Sequence, residues 1–109
     1  MERFVKGDIV VIPFPFSDLS GIKKRPALVI TDLQGDDIIL CQITSQHTED
    51  KYSIPVKETD YISGSLPAQS NIRPNRIFTA DKNIIIKKAT SINETAMNAI
   101  IQKIIDIIS

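Results

Sequence analysis

Cysteine and histidine each occur once in this chain. The solitary Cys41 rules out an intrachain disulfide, and together with His47 it offers no ligand cluster for a metal centre. An excess of charge of either sign is missing too, since thirteen Lys and Arg balance thirteen Asp and Glu. The chain is therefore no bulk polyelectrolyte binder, and any contact with nucleic acid has to be local. No apolar run approaches the roughly 20 residues that span a bilayer, and the N-terminus carries no signal-peptide pattern. Internal repeats and low-complexity segments are lacking as well. The expectation is a cytoplasmic protein with no cofactor, no metal and no membrane association. For 109 residues, roughly two thirds of the unfolded surface would be buried on folding, enough for one core, so one domain over residues 1–109 is expected.

Short β-rich runs separated by turn residues fill most of the chain. The first runs from Gly7 to Phe14, and Pro13 should bring it to an edge or an end. A loop with Pro15, Asp18 and Gly21 follows. A second strand is expected from about Pro26 to Thr31, with Pro26 as its first residue, where no ladder donor is needed. The cluster Asp32-Leu33-Gln34-Gly35-Asp36 predicts a hairpin into a third strand, Asp37 to Thr44. There Ile39, Cys41 and Ile43 share one face, and Gln42 and Thr44 share the other. Ser53 to Val56 reads as a short edge strand, Lys57 to Gln69 as a loop, Ser70 to Thr79 as an interrupted strand and Asn83 to Lys87 as another strand. The period then changes. Ser91-Ile92-Asn93-Glu94 matches a capping box, and Met97, Ile100, Ile101, Ile104, Ile105 and Ile108 follow the spacing of one helical face. Ile107 falls off that stripe and is a candidate contact with a second subunit. These elements predict a mainly β fold, a small barrel or half-open roll with a C-terminal helix packed on it.

Chemistry concentrates at two polar ends. Lys23-Lys24-Arg25 precedes the apolar run Ala27 to Ile30, and Pro26 stiffens the support of Arg25. In the hairpin, the start of strand two lies beside the end of strand three, so Arg25 meets Thr44-Ser45-Gln46 at one rim. A guanidinium and hydroxyls there suit an anion; the competing reading is a rim of satisfied turn residues.

Three blocks in order carry a family resemblance: Gly7-Asp8 with Pro13-Phe14-Pro15-Phe16-Ser17-Asp18-Leu19-Ser20-Gly21; Lys24-Arg25-Pro26-Ala27-Leu28-Val29; and Gln42-Ile43-Thr44-Ser45-Gln46. With Ile72-Arg73-Pro74, Phe78-Thr79-Ala80-Asp81-Lys82 and the terminal helix, they resemble the MazF/PemK type of toxin from bacterial toxin–antitoxin pairs. The resemblance covers nearly the whole chain. It implies an SH3-like barrel with a C-terminal helix, usually a homodimer, acting as a metal-independent, sequence-selective endoribonuclease on single-stranded RNA and held inactive by a cognate antitoxin. It also implies that Arg25 and Thr44 are the catalytic pair. Some relatives add an arginine with an acidic residue two positions on, which fall on Arg73 and Asn75, so the carboxylate is replaced by an amide. The family's acidic residue before the Arg-Pro block falls on Ser20, with Asp18 nearby.

Cutting RNA without a metal uses the neighbouring 2′-hydroxyl as nucleophile. It needs a group to take that proton, one to protonate the leaving 5′-oxygen, and cations for the phosphorane. Arg25 and Arg73 suit the cationic task, while Lys24, Ser45, Gln46, Asn75 and Arg76 are candidate substrate contacts. Asp18 and His47 are the candidate acid/base groups, although a lone loop histidine is usually only solvated, and Asp18 could merely cap its turn. Lys82, Lys87 and Lys88 could extend a phosphate track. Two alternatives use the same fold: a toxin-like RNA- or protein-binding module without catalysis, and a CcdB-like toxin acting on gyrase. Retention of Arg25 and Thr44 argues against both, because neither needs that pair.

Overall fold

The computed structural model describes residues 3–15, 22–46 and 50–109. Seven strands, β1 (Asp8–Pro15), β2 (Ile22–Asp32), β3 (Asp37–Thr44), β4 (Ile54–Pro55), β5 (Tyr61–Ser63), β6 (Asn71–Asp81) and β7 (Lys87–Ile92), precede one helix, α1 (Glu94–Ile108). All pairings are antiparallel, in the order β4-β6-β3-β2-β1-β7-β5. The sheet curls into a half-barrel with β4 and β5 at its edges, in agreement with the expected mainly β roll and terminal helix.

Alternation along the strands builds two cores, one on each face of the sheet. Ile9, Leu28, Cys41, Ile43 and Ile72 point to the face covered by Met97, Ile100 and Ile104 of α1. Val10, Ile12, Ala27, Val29, Ile38 and Leu40 point to the other, where Phe4, Phe78 and Ile85 close over them. The β2–β3 turn reverses at Gly35, whose φ of +76° lies where side chains are strained. Gly7, at φ +96°, lies in the same strained region, and a Cβ there would also come within 3.4 Å of the Ile92 carbonyl oxygen.

Several local expectations are corrected. β2 begins at Ile22, not Pro26, because β1 pairs with it from Pro15 opposite Ile22 to Ile9 opposite Leu28. Lys23, Lys24 and Arg25 are thus strand residues. Pro26 lies one residue outside the β2–β3 pairing, which ends at Ala27 opposite Gln42, so the strand there has a neighbour on one side only. Likewise β1 is an inner strand, but its pairing with β7 runs only from Asp8 to Val11, leaving Pro13 in an edge-like stretch. The segment expected as a loop holds β5, which pairs with β7. Asn83 to Ile86 is not a strand. The Asp81 carboxylate accepts from the Asn83 amide at 2.8 Å and starts a 3₁₀ turn over Lys82–Ile84.

The helix is capped by Asn93 rather than Ser91, which is still paired in β7. The Asn93 side chain accepts from the Ala96 amide at 2.8 Å and donates to the Thr59 carbonyl at 3.0 Å. The inward stripe is Met97, Ile100 and Ile104, with Ile101 and Ile107 half-buried; Ile105 and Ile108 are exposed at 45% and 74%. The spacing of three, four and three therefore replaces the wider face expected from the sequence. No helix among the described residues is long and apolar enough to cross a membrane.

Candidate active site

Register places the polar strand ends together. Thr44 is paired with Asn71 and Gln42 with Arg73 across β3 and β6, and Ala27 is paired with Gln42 across β2 and β3. The latter pairing ends there, and Arg25 and Thr44 each lie two residues beyond it, at the same end of the hairpin. Because Ala27 faces the second core while Leu28, Ile43 and Ile72 face the helix, alternation assigns Arg25, Thr44, Asn71 and Arg73 to one face, just past the end of the second core. Cross-strand diagonal neighbours such as Thr44 and Arg73 lie about 7–8 Å apart in a sheet.

Thr44 is half-buried, and its Oγ1 accepts from the Gln46 amide at 3.1 Å, leaving its proton to donate elsewhere. Ser45 and Gln46 are exposed; Arg25 is half-buried and Lys24 exposed. Alternation turns Lys24 to the helix-covered face, where a groove of about 530 Å³ is lined by Lys24, Arg25, Pro26, Ile43, Ser45 and Lys87 among others. Arg25 thus borders both the groove and the Thr44 face.

Arg73 behaves differently from the phosphate ligand expected of it. Its side chain is only 10% exposed, and its Nη2 donates to Oδ2 of Asp50. Its Nε is buried with no hydrogen-bond partner among the described residues. Asp50 Oδ1 also accepts from the amides of Tyr52 and Ser53, each at 3.0 Å. Burial works against ionisation of Asp50, but those amides and the guanidinium outweigh it and hold the carboxyl below its ordinary range. The sequence reading passed over Asp50, which lies 23 positions before Arg73. The available signal was local: an aspartate two and three residues before amides it can accept from, as in an Asx turn.

Other candidates fall elsewhere. β6 inserts Pro74, Asn75 and Arg76 between Arg73, opposite Gln42, and Ile77, opposite Cys41. This is the physical form of the expected interruption, and it leaves Asn75 and Arg76 exposed on a bulge. Lys82 does not join a phosphate track. It pairs with Asp32 and donates to the carbonyls of Leu33 and Gly35 at 3.0 and 2.8 Å, at the far end of the β2–β3 hairpin. Lys88 pairs with Asp8 at 3.2 Å. Asp18 and His47 lie outside the described residues. At Cys41, burial pushes the thiol pKa up to about 12, and Sγ donates to the Arg73 carbonyl at 3.0 Å, a packed core thiol.

Comparison with known proteins places this arrangement in a family. No curated protein matches the chain in sequence. Among solved structures, an endoribonuclease in complex with its cognate antitoxin, from mycobacterial species, is similar with a TM-score of 0.73 at 14% identity, over 95% of this chain and 93% of that one. An endoribonuclease from mycobacterial species is similar with a TM-score of 0.73 at 14% identity, over 97% and 91%. At this identity the likeness is one of fold. A family model of PemK-like, MazF-like toxins of type II toxin–antitoxin systems matches residues 5–108, which include every described strand and the terminal helix. The chain therefore belongs to the PemK-like, MazF-like toxins of type II toxin–antitoxin systems.

Proposed function

We propose that this chain is a metal-independent endoribonuclease that cuts single-stranded RNA through the 2′-hydroxyl beside the scissile phosphate, at the rim formed by Arg25 and Thr44. The observation that supports this reading most strongly is the β2–β3 pairing, whose last pair, Ala27 opposite Gln42, leaves Arg25 and Thr44 two residues beyond it at the same end of the hairpin. In the reaction the 2′-hydroxyl gives up its proton and its oxygen attacks phosphorus. The bond from phosphorus to the 5′-oxygen breaks, and that oxygen takes a proton. Arg25 meets the growing charge on the phosphorane with paired N–H donors, and Thr44 adds an O–H donor. Asp18 or His47 handles the protons, since an arginine and a threonine are poor bases at neutral pH. Arg73, nine-tenths buried and paired with Asp50, serves the site from behind the rim.

RNA lies across the exposed Ser45 and Gln46, with Lys24 and Lys87 meeting flanking phosphates along the groove beside Arg25. The protein works in the cytoplasm as a homodimer, and its cognate antitoxin lays acidic or apolar groups over the same rim. The test incubates purified protein with a long single-stranded RNA, with and without a chelator, and identifies the product ends. Chelator-insensitive cleavage leaving a 2′,3′-cyclic phosphate, or its 3′-phosphate, and a 5′-hydroxyl is expected. Activity abolished by chelator and restored by magnesium would overturn the reading.

A further inference from the structure

We infer that Asp50 is a positioning residue of the cleavage site: through its ion pair with Arg73 it holds the end of β6 that pairs with Thr44 and binds Gln46. This rests on the proposed endoribonuclease reading and adds a residue that neither the sequence blocks nor the fold likeness assigns. It answers what replaces the carboxylate missing at position 75. Asn75 is exposed on the β6 bulge, whereas the carboxylate that Arg73 touches is that of Asp50.

The geometry is a clasp with two arms. Asn71 and Arg73 stand two residues apart on β6 and share a face. Asn71 Nδ2 donates to the Gln46 carbonyl at 3.2 Å, and Arg73 Nη2 donates to Asp50. Gln46 and Asp50 are thus both anchored to the strand that pairs with Thr44. The Gln46 amide in turn donates to Thr44 Oγ1, so β6, through Asn71 and Gln46, sets where the threonine hydroxyl points. Arg73 has a second hold on the sheet, since its carbonyl accepts from the buried Cys41 thiol.

Positioning fits Asp50 better than proton transfer. One oxygen accepts two backbone amides and the other a guanidinium, which stabilises the carboxylate and makes it a weak base. The pair also cancels most of the charge of Arg73, which makes that guanidinium a poor ligand for a phosphate. A buried guanidinium deprived of its carboxylate would draw in water or turn away, loosening the clasp.

The test uses the intact chain and an RNA whose cleavage site has been mapped with the parent protein. Asp50→Asn keeps an oxygen for the two amides but loses the charge. We expect kcat to fall at least about tenfold with KM changed less than about threefold, because small displacements of positioned groups cost rate rather than affinity. Asp50→Glu, which restores the charge on a longer arm, should recover part of kcat. Asp50→Asn with the parent's kcat, or a higher one, would overturn the inference while leaving the endoribonuclease reading intact. A parent that leaves RNA uncut would instead sink that reading.

A second measurement, independent of activity and of whether Asp50→Asn folds, follows the Arg73 Nε–H resonance of the parent by NMR, assigned by its loss in Arg73→Lys. It should exchange slowly at neutral pH. The carboxyl is held below its ordinary range, so the clasp persists above that range and is lost as pH falls through the depressed value. Protection, the intrinsic exchange rate at each pH divided by the observed one, should then collapse only on strong acidification. A resonance already in fast exchange at neutral pH would overturn the clasp.

Discussion

The two ends of the β2–β3 hairpin each hold a cation close to a carboxylate, yet they are built for different purposes. At the turn end, Lys82 has the Asp32 carboxylate and the carbonyls of Leu33 and Gly35 around one ammonium. Two hydrogen bonds and an ion pair thus brace a tight turn. At the open end, Arg73 has one carboxylate and a buried Nε with no acceptor among the described residues, and Arg25 lies at the same end of the hairpin as Thr44. A basic residue flanking a strand therefore says little about function. What its donors meet decides whether it closes the fold or serves a site.

This contrast can be broken or sharpened in order of effect. A DNA copy of a cleaved RNA should still bind the rim through its phosphates but remain uncut, because it lacks the nucleophile. Cleavage of that DNA, measured on a gel, would remove the 2′-hydroxyl mechanism. At the turn end, Lys82→Ala should cost about 1.5–3 kcal/mol in denaturant unfolding, the range for hydrogen bonds to charged groups, with no change in cleavage rate per folded molecule. A third position calibrates both: Asn93→Ala should cost about 1 kcal/mol as a lost helix cap, whereas Ser91→Ala should stay within about 0.5 kcal/mol. The smallest effect is expected from Asn75→Asp, which places a carboxylate on the exposed bulge. Its cleavage rate should change less than about twofold, and a tenfold rise, within the usual range of acid–base catalysis, would show that the site lacks its base.

Much of the frame was legible because turn residues bracket it. β3 was read from Asp37 to Thr44 since the Gly35 turn and the polar stretch after Thr44 fence the apolar run. The interruption of β6 was visible as Arg73-Pro74-Asn75-Arg76 between apolar pairs. What escaped depended on pairing rather than local pattern. β2 extends into Lys23 and Lys24 because β1 is there to pair with them, overriding a cationic composition that reads as loop. β5 is three residues long in a polar stretch and exists through β7. Ser91 has the right spacing for a cap but is claimed by the same ladder. At the site, Arg25 and Thr44 could be brought together from hairpin logic alone. Asp50 could not be assigned to Arg73, since no spacing rule links a turn aspartate to a strand 23 residues later.

The rate of cleavage at one mapped RNA site, compared among the parent, Arg25→Ala, Thr44→Ala and Lys82→Ala at matched folded fraction, tests the central claim most directly. Removing a transition-state donor costs on the order of 3 kcal/mol, about a hundredfold in rate. Arg25→Ala and Thr44→Ala should each fall by about that factor, while Lys82→Ala should cut as the parent does. Folded Arg25→Ala cutting at the parental rate, or Lys82→Ala losing as much as the rim variants, would contradict the assignment of the site to the open end of the hairpin.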